Sequence, residues 1–412
     1  MLTQVATLVA VVASIALTFR VEHDPGTAMI TVTASVLAAW LLAEGVPTLV
    51  RLHGQAPKRT EPWQAFWKRI VTKLVGLGAL SGLVIIACFC FPFFANSRAV
   101  TWLTESFPGL LVPMAVLVPL TVAYFVLADR YSDDPDDYLH QVGRAVLMRE
   151  FREADIGLAL RILVIKCFFL VLMFSSGMAI FEWFFDNPFA GRPFLSEAWF
   201  EAAVRAVYLV DVVLAAGGYF ATFKLFGWHV RATETSLRGW VACLVCYEPF
   251  FPALSNGFVP YGEGPGWDSM LAEGSALFVV WSIAILLCHT VYVWATLALG
   301  PRFSNLTHRG IITNGPYRFA KHPAYLAKNA AWWLFSLPGF VASGFPEGVV
   351  RAGMLAIVSF IYVQRAMAEE RMLSTDPVYR AYADEIAARS PWRAARRLAV
   401  LIQESIPLKR TG

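Results

Sequence analysis

Residues 156–186 read IGLALRILVIKCFFLVLMFSSGMAIFEWFFD, an apolar run interrupted only by Arg161 and Lys166 before Glu182. A helix needs roughly 20 mostly apolar residues to cross the hydrocarbon of a bilayer, and this stretch exceeds that length. Nine further stretches have the same character, at about 2–19, 29–50, 70–95, 109–128, 199–223, 239–257, 273–299, 324–341 and 347–368. The 239–257 stretch has a short core with Pro249 and Pro252 inside it, so it either spans or re-enters. Composition points the same way. Of 412 residues, 57% are hydrophobic and 16% charged, against roughly 45–50% and about 25% in globular domains. The mean hydropathy is +0.56. A soluble chain of this length needs more charge to coat its surface. Aromatic content of 14%, with no glycine period and no sustained heptads, excludes disorder, collagen and coiled coil. The expected fold class is an all-α, polytopic transmembrane helical protein of about ten spans. A net charge of +4 is too small to indicate a nucleic-acid partner.

Basic residues orient the segments. With both termini cytoplasmic and all ten stretches crossing, the cytoplasmic connections carry 25 Lys/Arg, and the opposite side holds only Arg20, Arg98 and Arg192. That asymmetry is what the positive-inside bias produces. Residues 1–19 lack a basic leader and a small-residue cleavage site, so they read as a first membrane helix rather than a removed signal. The expected location is the inner (cytoplasmic) membrane or its equivalent. Two segments read as interfacial: 57–69, with Trp63, Phe66 and Trp67 among cations, and the tail 391–410, with Trp392 and Leu398 beside Arg393, Arg396 and Arg397.

Polar groups within spans are expensive and therefore informative. Lys73, Arg161, Lys166, Asp211, Glu248, His289, Lys328 and Asn329 qualify. Most lie near helix ends, where snorkelling accounts for a lysine or arginine, whereas Asp211 and Glu248 are acids amid apolar neighbours and candidates to line a cavity. The acidic DDPDD loop (Asp133, Asp134, Asp136, Asp137) is similar to magnesium–diphosphate motifs, yet it occurs once and opens a charged loop, so solvation explains it. All six cysteines sit in apolar runs. Cys243 and Cys246 form a C-x-x-C that no second pair or histidine completes, and no metal site is expected.

The densest chemistry lies at 299–329, LGPRFSNLTHRGIITNGPYRFAKHPAYLAKN, a connection too rich in Gly, Pro, His, Tyr and cations to be plain linker. Gly315–Pro316 forces a turn, and Pro323 suits the first position of the helix that follows. Tyr317, Arg318, Lys321, His322 and Tyr325 thus gather at a helix start, where backbone N–H groups favour an anion. Further on, Glu369 and Glu370 lie roughly 100° apart on a helix, so one can face a pocket while the other meets Arg365 or solvent. Tyr379 and Tyr382 follow. A carboxylate, cations and aromatic faces are the partners for a ligand with an amine, a carboxylate, a base and a sulfonium. Residue types alone still leave a plainer account, in which cations line cytoplasmic loops and acids pair with them.

The order of the motifs changes that weighting. GPYR, then KHPAY, then EE at the end of the next helix, then a tyrosine pair, resembles the isoprenylcysteine carboxyl methyltransferase family and its phospholipid-methyltransferase relatives over roughly residues 285–392. The resemblance implies an integral membrane enzyme using S-adenosylmethionine. It implies a cofactor-binding turn of Gly315, Pro316, Tyr317, Arg318, Lys321, His322, Pro323 and Tyr325, with Tyr379 nearby and Glu370, in preference to Glu369, as the cofactor's acid. This chain departs from the family at Lys321, where Arg is common, at Ala327, where Gly is common, and at Lys328–Asn329, where the family continues apolar.

The resulting expectation is two regions: 1–270, of unassigned role, and 271–412, methyltransferase-like. The activity expected is methyl transfer to a lipophilic acceptor drawn from the bilayer, an isoprenoid or lipid carrying a carboxylate, amine, hydroxyl or thiol. A carboxylate acceptor needs no base; for an amine or hydroxyl, His322 and Glu369 are the candidates. Two alternatives remain: an NADPH-dependent enzyme similar to the membrane sterol reductases, which resemble the same C-terminal hairpin, and a proton-coupled transporter using Asp211, Glu248 and Lys166.

Overall fold

Backbone polar groups in hydrocarbon must bond within the chain, and apolar runs therefore fold as helices. The computed structural model describes residues 2–58, 61–132, 134, 136–149, 156–188, 191–262 and 266–389. The helices are α1 (Leu2–Val21), α2 (Pro25–Trp40), α3 (Val46–His53), α4 (Trp63–Cys90), α5 (Pro92–Ala95), α6 (Arg98–Tyr131), α7 (Tyr138–Met148), α8 (Ile156–Asp186) and α9 (Glu197–Phe220). They continue as α10 (Leu237–Leu244), α11 (Phe250–Ala253), α12 (Trp267–Met270), α13 (Ala276–Leu299), α14 (Pro323–Ser343), α15 (Glu347–Leu373) and α16 (Pro377–Arg389). A wide turn at Leu41–Gly45 carries α2 into α3 without a break. Starts are set by side-chain caps: Asp24 accepts from the Thr27 N–H, Ser196 from Trp199 and Ser275 from Phe278.

Among the described residues, six helical segments are long and apolar enough to cross a membrane: Thr3–Val21, Pro25–His53, Trp63–Cys90, Ile156–Asp186, Ala276–Arg302 and Glu347–Leu373. The number becomes seven if α6, bent by 74° between its halves, counts as one span. Helices occupy nine of the ten expected positions, but α9, with Arg205 and Asp211, and α14, with Lys328 and Asn329, are not among those six. The 239–257 stretch is not one helix. Pro249 and Pro252 divide it into α10, α11 and a wide turn at Leu254–Phe258. Apolar side chains such as Val9, Leu42, Val112 and Leu287 stand exposed along the long helices, a surface suited to lipid. The chain is an all-α, membrane-associated protein.

The main core joins α2, α8 and α9 through Val36, Trp40, Phe169, Phe181, Val213 and Leu214. Around it, α13 packs on α9 and α14, α14 forms a hairpin with α15, and α10 packs on α15. The connection from α13 to α14 is fastened in two ways. Its Thr307–His308 strand (β2) pairs antiparallel with Ala232–Thr233 (β1). It also lies hard against α9 at Gly218, where a Cβ would come within 2.8 Å of the Phe303 carbonyl oxygen.

Of the two expected interfacial segments, only part of the first lies among the described residues. Trp63, Phe66 and Trp67 belong to the first turn of α4, with Phe66 buried beneath the Arg130 guanidinium. Arg59 and Thr60 lie outside the described residues, as does the whole 391–410 tail. The acidic loop is solvated at Asp134 and Asp136 and anchored at its end. Asp137 caps α7 and pairs with Lys73 at 3.2 Å, Asp134 meets Lys224 at 3.3 Å, and Asp133 lies outside the described residues.

Candidate active site

The sequence Gly315–Arg318 folds as a single tight turn, and Gly315 has φ +58°, a left-handed conformation costly for any residue with a Cβ. Space is short there too: a Cβ would stand 3.1 Å from that of Ala298 on α13. The turn is strapped from outside by α16, whose Tyr382 hydroxyl donates to the carbonyls of Tyr317 (2.7 Å) and Ala320 (3.2 Å). A second fastening joins His308 Nε2 to Asp376 Oδ2 at 3.0 Å. Chain direction then reverses, with His322 capping α14 and Pro323 at its first position.

This places His322 against the end of α15. Its Nε2 lies 3.1 Å from the Glu370 carboxylate and its Nδ1 3.6 Å from Glu369. Burial opposes a charge on His322, but hydrogen bonds to Glu369 and Glu370 and their negative charge outweigh it, raising its pKa to about 9. The imidazolium stacks parallel on Tyr325, with centroids 5.5 Å apart. Lys321 Nζ reaches Glu370 at 2.6 Å. Glu369 receives the Tyr325 hydroxyl and stands 3.6 Å from Arg365 Nε.

Arg365 is the buried centre of a wider network. Its guanidinium donates to the Tyr247 hydroxyl at 3.1 Å and to the Asn305 side-chain carbonyl, and it lies 4.8 Å from the Tyr325 ring centroid. Asn305 in turn donates to Tyr219 at 2.6 Å and Tyr247 at 3.0 Å. The loop behind it is held by Arg309, a buried guanidinium that donates to the carbonyls of Gly218 (2.7 Å), Phe303 (2.8 Å) and Trp228 (2.9 Å). Burial among carbonyls, with no carboxylate beside it, lowers the Arg309 pKa to about 9.

These groups surround one open cavity, with an empty volume of about 1060 Å³ including its mouth, bounded by α13, α14, α15 and the 302–310 loop. Tyr317, Lys321, His322, Tyr325, Glu369 and Tyr379 all line it. Gly315, Pro316, Pro323 and Glu370 do not line it. They shape the turn, start the helix and hold His322 and Lys321. Arg318 is exposed outside the cavity, because the tight turn carries its side chain away from α15. Glu370, expected as the cofactor's acid, does not line the cavity and meets its lining through His322 and Lys321, whereas Glu369 lines it directly. Glu248 is likewise exposed rather than cavity-lining, on the irregular 245–249 turn. Asp211 sits behind the wall, accepting from Tyr292 and Thr296 at 2.6 Å each.

Sequence reasoning missed Tyr247, Asn305 and Tyr362. Asn305 had a signal, lying in the PRFSN run just before the turn. Tyr247 comes from a segment over 100 residues upstream of α15 and had none. Three buried polar atoms on the wall have no hydrogen-bond partner: the hydroxyls of Tyr362 and Tyr379 and Nε of Arg365. Orphan donors of this kind mark a place where a ligand or water completes the bonding. Among the described residues, no group of His, Cys, Asp or Glu is arranged to hold a metal ion.

Chemically, the site offers one carboxylate among cations and aromatic faces. His322, bonded to Glu370 and facing Glu369, is held in its charged form, so the carboxylate of Glu369 is the group in the cavity lining able to accept a proton. No family model, curated protein or solved structure matches this chain.

Proposed function

We propose that this protein is an integral membrane S-adenosylmethionine-dependent methyltransferase acting on a lipophilic acceptor. The observation that carries the reading is the convergence of His322, Tyr325, Glu369 and Arg365, with the unpartnered Tyr362 and Tyr379 hydroxyls, on one cavity at the end of a helical hairpin. The order of GPYR, KHPAY and EE in the sequence supports it, since those three elements build the cavity's edge.

The residues suit the parts of such a cofactor. Glu369 answers an ammonium, Lys321 and Arg302 answer a carboxylate, and the Tyr317, Tyr325 and Tyr379 rings answer a flat base and a sulfonium. Bound S-adenosylmethionine would supply an electrophilic methyl group. The chain's own contribution is alignment, exclusion of water and, for an amine or hydroxyl acceptor, removal of a proton by the Glu369 carboxylate. The 25-to-3 distribution of basic residues supports a cytoplasmic cavity and cytoplasmic termini in an inner membrane or its equivalent. On that topology the broken 237–258 segment crosses as the seventh of ten. Residues 1–270 then supply part of the wall as well as spans, through Tyr247.

Equilibrium dialysis of the detergent-purified protein tests the reading. Saturable S-adenosylmethionine binding that is lost in Glu369→Gln, with no NADPH binding, and transfer of labelled methyl into a lipid extract are expected. Binding of NADPH instead, or of neither, rejects it.

A further inference from the structure

The inner end of the cavity contains a group that the motifs leave unexplained. Lys328 lies six residues beyond His322 on α14, about 9 Å deeper along the helix axis. Its Nζ stands 5.6, 5.2 and 5.8 Å from the ring centroids of Tyr292, Trp332 and Tyr362. Lys328, Tyr292 and Tyr362 all line the cavity. Among the described residues, the ammonium makes no hydrogen bond and no ion pair.

Ring faces attract a cation, but an ammonium has three N–H donors that the rings do not satisfy as oxygens do. A charge withdrawn from water is retained where it is paired. Asp211, which accepts from the Tyr292 and Thr296 hydroxyls, attracts Lys328 from a distance but does not pair with it directly. A nearby donor is idle as well: the Tyr362 hydroxyl has no hydrogen-bond partner. The Arg365 guanidinium, already engaged by Tyr247, Asn305 and Glu369, adds positive charge 5.9 Å from the Tyr362 ring centroid. Donors converge here and an acceptor is missing.

We infer that Lys328, with the Tyr362 hydroxyl, receives the anionic oxygen head of an amphiphile at the inner end of the cavity. The head arrives on an apolar tail because Lys328 lies well past the start of α14. The neighbouring outer faces of α14 and α15 expose Leu326, Val363 and Met367, side chains suited to lipid. The inference stands apart from the methyl-donor reading, since it requires no cofactor.

The test is binding by the full-length protein in an uncharged detergent, without cofactor. The probes are a long-chain fatty acid, the alkyl phosphate of the same chain, and the corresponding alcohol. The unsubstituted protein should bind both anions at least about tenfold tighter than the alcohol. Lys328→Met should abolish that difference while leaving alcohol binding unchanged, and Lys328→Arg should retain it. Equal binding of anion and alcohol by the unsubstituted protein overturns the inference and needs no variant to fold. Survival of the preference in Lys328→Met also overturns it. So does displacement of both anions by inorganic phosphate alone, which would mark a site for a soluble ion.

Discussion

Between α4, α6 and α7, Asp129 accepts two guanidinium bonds from Arg69 at 2.8 Å and has Lys73 at 3.5 Å, while Asp137 holds Lys73 at 3.2 Å. Between α14 and α15, Glu369 and Glu370 hold His322, Lys321 and Arg365 at comparable distances. Residue types are similar, but the first cluster is the more buried and every charge in it is paired. It stands beside a tight helix crossing, where a Cβ on Gly143 would fall 1.8 Å from the Thr72 carbonyl oxygen, although Arg69 and Asp129 also border a cavity of about 640 Å³ including its mouth. The second opens on a cavity whose wall carries hydroxyls without partners. An ion cluster whose charges are all paired is suited to architecture; one bordered by donors without partners is suited to receive a ligand.

The largest expected effect tests the first half of that contrast. Asp129→Ala removes the most buried carboxylate of the cluster and leaves Arg69 with Glu61 and Lys73 with Asp137, so the cost should approach the roughly 3–5 kcal/mol of a broken buried pair without exceeding it. Thermal unfolding in detergent should show that loss, with ligand binding intact in the fraction that stays folded. A cost below about 1 kcal/mol would mean the cluster does not hold the crossing.

Next comes pH. His322 has a folded pKa of about 9 against an ordinary 6.5, so its stabilising contribution is complete below pH 6.5 and is lost as pH rises toward 9. Linkage bounds that loss at roughly 3 kcal/mol. The melting temperature should fall across this window in the unsubstituted protein and fall less in His322→Asn. Identical profiles would detach His322 from the glutamates.

A smaller effect separates the two acids. Glu369→Gln should weaken S-adenosylmethionine binding at least about tenfold, near 1.4 kcal/mol, and Glu370→Gln should weaken it less, because Glu370 acts through His322 and Lys321. Equal losses in dialysis would contradict the assignment of Glu369 to the cavity. The smallest effect belongs to the strap. Tyr382→Phe removes the donor to the Tyr317 and Ala320 carbonyls and should cost about 1 kcal/mol, read as faster amide exchange across 317–320. Unchanged exchange would show that the turn holds without α16.

Much of this protein is legible in its residues taken in order. Runs such as 156–186 must be helical because hydrocarbon offers no partner for a free backbone N–H, and that constraint acts locally. Gly315–Pro316 and Pro323 fix a turn and a helix start by their own backbone limits. The spacing of His322 and the glutamate pair, one hairpin apart, brings them together once the hairpin forms. Tertiary structure decided the rest. Whether Glu369 or Glu370 faces the cavity depends on how α15 is rotated against α14. That Tyr247 reaches Arg365 across 118 residues depends on α10 packing against α15. Glu248 and Asp211 looked alike as acids amid apolar neighbours, yet one is exposed and the other is held by two hydroxyls. Solvent and backbone sterics act on each segment by itself, whereas a side chain's partners are chosen by distant helices.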